Sequence, residues 1–283
     1  MENKVKDLRK ISFAIAIMFL VYWIYSFFIG NHLQISDGLK SIISTIMLYV
    51  VGLGLFVFIT KDITESKYKK KNLPVKTYLI CFFLQFFALV VFILATGLLI
   101  TITKTAPAEK DNLSFYMLFS LLVFAPVVEE LVFRHLFANK LLKYGEAFFI
   151  LVSAFCFCIV HGVSLGIPSI IYTFLLGLNW SYLLVKTGNI LITIIYHSLS
   201  NLFGGILPQI IMTVSDQLFS VYIIVVIIFA VIGLILFVKN KKDFTFEDKI
   251  FSQNNLKQLV TNEGIIFLTL ATISFMLTKH LMI

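Results

Sequence analysis

Three short patterns in an otherwise apolar chain hold the residue types that hydrolytic or proton-transfer chemistry requires: Glu129-Glu130-x-x-x-Arg134, Phe157-x-x-x-His161 and His197-x-x-x-Asn201. Residues four apart share one face of a helix, so each pattern aims two side chains the same way. Glu130 and Arg134 are expected to pair, which offsets part of the cost of burying each charge. Glu129 is turned about 100° from Glu130 and is expected to face a different cavity, free to act as a base on water. Pro126, three residues earlier, lacks an amide donor and is expected to bend the helix and release a carbonyl. Singly, a membrane His or Asn also serves to tie helices together; the ordered set favours a site. Gln85 and Asn179 are read as such ties, and His135, beside Arg134, as structural.

The elements that must position these groups are membrane helices. Hydrophobic residues make up 59% of the 283, charged residues only 13%, and the mean hydropathy is +0.97; soluble domains are roughly half apolar and a quarter charged. A span needs roughly 20 apolar residues, and runs near 11–29, 41–60, 77–103, 115–138, 147–163, 167–185, 189–211, 218–238 and 265–281 qualify. The expected fold is an all-α polytopic membrane protein of eight to nine transmembrane helices with a four-helix catalytic core. Its parts are N-terminal helices over 1–114, the core over 115–211 and C-terminal helices over 212–283. Of 15 acidic residues only Glu129 and Glu130 fall well inside a run, where an ionisable group defaults to a functional role. Cys81, Cys156 and Cys158 all lie within runs and are expected to behave as small hydrophobes.

Orientation follows from the basic residues. With a cytoplasmic N-terminus, all of the 23 Lys and Arg face inside except Lys40, Lys104, Lys110 and Lys279, as the positive-inside rule requires. The first run follows Lys4, Lys6, Arg9 and Lys10, but it is long and lacks a small-x-small cleavage site, so it reads as a signal anchor. The net charge of +8 then belongs to loops facing anionic lipid, and its interleaving with spans argues against nucleic acid as a partner. The connection 239–264 carries Phe244, Phe246, Ile250, Phe251, Leu256 and Leu259 among charges. It reads equally as an interfacial amphipathic helix or a solvated loop.

In this order the three patterns resemble the CPBP or Abi family, which contains the type II CAAX prenyl endopeptidases; the resemblance covers roughly residues 115–205. It implies a cavity within a helical membrane core in which Glu129 activates the attacking water with help from His161. It also implies that His197 and Asn201 stabilise the oxyanion, with Glu130, Arg134 and Phe157 in support. That division suits amide hydrolysis, which needs a base for water and donors aimed at the developing charge. No cofactor is expected. Glu129, His161 and His197 are also an alternative set of zinc ligands, without an HExxH motif, but Asn201 suits an oxyanion donor better than a metal ligand. By helical rise, Glu129 and His197 lie about 12–14 Å from the cytoplasmic ends of their runs, whereas His161 falls roughly 20 Å along its own, nearer the opposite end.

The expectation is therefore an intramembrane endopeptidase that cleaves membrane-associated peptides or protein tails from the cytoplasmic half of a bacterial cell membrane. A non-catalytic immunity or regulatory partner would keep the same polar cluster only to hold its helices. A proton-linked transporter would also explain intramembrane Glu, Arg and His, but the chain has none of the repeated halves such folds often carry.

Overall fold

A bilayer offers the backbone no hydrogen-bond partners, so apolar runs of this length close their bonds internally as helices. The computed structural model describes residues 2–66, 68, 72–104, 114–244, 246 and 249–282. Among them, eight helices are long and apolar enough to cross a membrane: α1 (Glu2–His32), α2 (Gly38–Thr60), α3 (Val75–Thr103), α4 (Phe115–Tyr144), α5 (Glu146–Leu165), α6 (Ile167–Thr187), α7 (Ile190–Val214) and α8 (Asp216–Lys239). A short α9 (Gln253–Thr261) and α10 (Glu263–Met282) follow, bent by 58° at Asn262. The ninth expected span thus corresponds to α10. Several helices outrun their apolar runs because the backbone stays helical into the interface; α4 continues to Tyr144 rather than ending near 138. Lys110 lies outside the described residues.

Turns of one or two residues make consecutive core helices antiparallel. Gly145 (φ 110°) joins α4 to α5 and Gly166 (φ 82°) joins α5 to α6, conformations that a side chain would strain. Ser114, Asn189 and Ser215 cap the starts of α4, α7 and α8 through Met117, Leu191 and Gln217 amides.

Helix α5 is the axis of the bundle, with 14 of its 20 residues buried. Helices α6, α10 and α4 pack around it, α3 lies between α6 and α8, and α7 is seated against α4 and α6. Small residues set the closest crossings. A Cβ on Gly177 of α6 would stand 2.9 Å from the Ala154 Cα on α5, and one on Gly233 of α8 would stand 2.7 Å from the Phe83 backbone on α3. Because lipid tails are as apolar as Leu, such close approach supplies the packing energy.

The connection after α8 is neither solvated throughout nor one amphipathic helix. Phe244 stacks on Tyr182 at 5.0 Å, Phe246 meets the same ring edge-on at 5.6 Å, and both join the main core with Ile250. Phe251 and Leu256 are exposed. The Lys140–Glu65 (3.3 Å) and Lys143–Asp7 (2.8 Å) ion pairs bind the C-terminal end of α4 to the connection after α2 and to α1.

Candidate active site

Helix α4 is not uniformly α-helical where its glutamates lie. Wider π-type turns at Ser120–Phe124 and Leu131–Leu136 flank the segment Ala125–Glu130; such turns are frequent at functional sites. In the first of them the Ala125 amide reaches back five residues to the Ser120 carbonyl. The next carbonyl in that register, Leu121, would need an amide from Pro126, which has none. Asn201 of α7 donates its Nδ2 to that carbonyl at 2.8 Å. The carbonyl released by Pro126 is thus served by a neighbouring helix, and at least one N–H of Asn201 is engaged in holding α7 to α4.

The glutamates converge on one imidazole instead of facing different cavities. Glu130 Oε1 stands 3.0 Å from His197 Nδ1, and Glu129 Oε2 stands 3.7 Å from His197 Nε2 and 3.5 Å from His161 Nε2. A five-membered ring with nitrogens on two edges spans the 100° between adjacent helix positions, a relation invisible without the partner helix. The Glu130–Arg134 pair forms as expected, Oε2 to Nε 3.2 Å. The Arg134 guanidinium lies over Phe157 (4.4 Å) and Trp180 (5.2 Å), so two aromatic faces share its charge.

The position expected for His161 is also corrected. Counted from the helix ends at Tyr144 and Glu146, Glu129 is 15 residues back along α4 and His161 is 15 residues forward along α5, about 22 Å in each case. The mismatch arose from ending α4 too early.

Acceptors on the far side of each ring assign the tautomers. His161 Nδ1 lies 2.7 Å from the Phe157 carbonyl and His197 Nδ1 lies against the Glu130 carboxylate, so both Nδ1 atoms carry hydrogen. Each ring then turns its Nε2 towards Glu129 Oε2. At 3.5 and 3.7 Å these are ion-pair separations rather than hydrogen bonds, and Oε2 is buried with no direct donor. Exposure divides the carboxylates: the side chains of Glu129 and His161 keep 16% and 17%, whereas Glu130 and Arg134 keep none. Only Glu129 is open to an incoming molecule. Among the described residues no group of three or more His, Cys, Asp or Glu stands ready-made to hold a metal ion.

Gln85 and Asn179 act as interhelical ties: Asn179 Nδ2 donates to the Cys81 carbonyl at 2.8 Å, and Gln85 Oε1 accepts from Trp180 Nε1 at 3.0 Å. His135 turns to Tyr68 (2.7 Å) and Asn139 (3.3 Å), away from the cluster. Two neighbours of the site went unread in the sequence. Trp180 stacks on His197 at 4.3 Å and 22°. Tyr49 of α2 packs edge-on against Phe124 at 5.4 Å, and its phenol interacts with the Glu129 carboxylate. In a chain with 30 Phe and 11 Tyr, neither aromatic carries a distinguishing local signal.

Asn201→Ala is expected to lower thermal stability by about 1–2 kcal/mol, because it leaves a part-buried carbonyl of a membrane helix unserved. Pro126→Ala, which restores an amide donor, is expected to recover the loss. Thermal unfolding of the two single variants and the double variant in detergent checks this; no recovery in the double variant would refute the pairing. Activity that stays low while stability returns assigns the second Asn201 N–H to the substrate.

A family model described as Type II CAAX prenyl endopeptidase Rce1-like matches residues 111–203. No curated protein and no solved structure matches the chain.

Proposed function

We propose that this chain, whose 111–203 segment is similar to the type II CAAX prenyl endopeptidase Rce1-like family, hydrolyses peptide bonds in membrane-associated peptides or protein tails with water activated by Glu129. The observation that carries the reading is the convergence of two imidazole Nε2 atoms on the one partly exposed carboxylate of the cluster. Glu129 takes a proton from water as the oxygen adds to the scissile carbonyl, and His161 shares that proton. The resulting oxyanion accepts hydrogen bonds from the Asn201 amide and from His197, which donates through Nε2 only in its doubly protonated form. The proton then passes to the amide nitrogen as the C–N bond breaks, leaving a carboxyl terminus and an amine. Glu130 holds the His197 tautomer and Arg134 balances Glu130, as partners behind a reacting ring generally do.

The N-terminus faces the cytoplasm, on the strength of the basic-residue bias. The test compares the terminal peptides of membrane and secreted proteins from cells carrying the wild type, a null and Glu129→Gln at equal membrane abundance. New termini present only with the wild type are expected, and they identify substrate and cleavage position together. Identical termini in all three would favour the non-catalytic partner. Repeating the cleavage with purified protein and a chelator tests the metal-free mechanism, which loss of activity would overturn.

A further inference from the structure

Glu130, Glu129 and the edge-on ring of Phe157 are patterned residues against the His197 ring; the residue on its face is not one of them. Glu130 and Glu129 stand 3.0 and 3.7 Å from its two nitrogens. Its face lies on Trp180, nearly parallel at 4.3 Å. Stacking alone leaves an indole free to slide over an imidazole, because the contact has little directional preference in the plane. The slide is stopped at the other edge of the indole, where Nε1 donates to Gln85 Oε1 at 3.0 Å. Trp180 and Gln85 are 1% and 5% exposed, so the bond is buried. One helical turn before Gln85, the Cys81 carbonyl accepts from Asn179. Two adjacent polar ties therefore lock α6 against α3 at the level of the indole.

We infer that Gln85 and Trp180 are positioning residues for the reacting centre: Gln85 fixes the indole, and the indole fixes the plane of His197 and caps the Arg134 guanidinium. Gln85 lies on α3, outside the 111–203 segment, so the core depends on a helix beyond it for the orientation of a reacting group. The kinetic part of this inference rests on the role proposed for His197; the geometric part does not.

The test has two arms. Kinetics are measured on a synthetic peptide carrying the cleavage site found by terminal mapping. Gln85→Met keeps the side-chain length and removes the acceptor, and it is expected to lower kcat about tenfold with KM within about twofold. Trp180→Phe keeps an aromatic face and removes the donor, so adding Gln85→Met to it is expected to cost nothing further. A full tenfold loss in that background, or no loss in the single variant, overturns the inference. The second arm needs no substrate. The sequence contains two tryptophans, so the difference between the emission decays of the chain and of Trp180→Phe isolates Trp180. Gln85→Met is expected to lengthen that decay by relaxing the stack on His197, His197→Leu to lengthen it too, and the pair to be no longer than the greater of the two. An unchanged decay in Gln85→Met overturns the positioning role. If Glu129→Gln proves fully active, the proposed mechanism fails while this second arm still decides the geometry.

Discussion

Glu129→Gln is expected to slow peptide cleavage by about 10²–10⁴-fold, the range ascribed to a positioned general base, with abundance and thermal stability close to wild type. The glutamine keeps the shape of the side chain and can donate to a ring Nε2, so the packing between α4, α5 and α7 survives. It cannot take a proton from water. Glu130→Gln differs in kind: its oxygen still accepts from His197 Nδ1, but the buried Arg134 charge loses its counter-ion, so stability falls along with rate. Single-turnover rates and unfolding midpoints of the two purified variants separate these outcomes. A Glu129→Gln protein that cleaves at the wild-type rate would assign the carboxylate a structural role and remove the mechanism proposed here.

Arg134→Met carries the largest expected cost to the fold. Arg134 and Glu130 have no exposed side-chain surface, and removing the cation leaves a carboxylate in the bundle interior with only His197 beside it. Breaking one partner out of a buried pair typically costs 3–5 kcal/mol, and about that loss is expected in detergent unfolding or in membrane abundance. Glu130→Leu combined with Arg134→Met should recover most of the stability, since a buried pair replaced by apolar groups is often neutral. It should not recover activity, because His197 loses the acceptor that fixes its tautomer. Arg134→Lys is not expected to rescue, as an ammonium cannot spread its charge over both the Phe157 and Trp180 faces. A single variant as stable as the wild type would mean that the pair contributes nothing to the bundle.

The sequence by itself determined the class of the fold, the number and rough limits of the spans and which residues were out of place in them. The reason is energetic: hydrocarbon penalises every unsatisfied polar group, so span length is read by counting, and Glu129, Glu130, Arg134 and His197 stand out against an apolar background. Local spacing also carried the Glu130–Arg134 pair, because a separation of four residues fixes its own geometry. What depended on two or three helices meeting was decided only in the tertiary structure. Both glutamates reach His197 because α7 brings one ring with nitrogens on two edges against them, and the extension of α4 to Tyr144 brings Glu129 to the depth of His161. Asn201 serves a carbonyl 80 residues away, left free by a proline and a π-type turn together. Gln85 and Trp180 read as an ordinary helix tie and an ordinary core aromatic until their bond and the stack on His197 are seen in one place. Residue type and period report what a side chain can do; the crossing of α3, α4, α5, α6 and α7 determines which others it does it with.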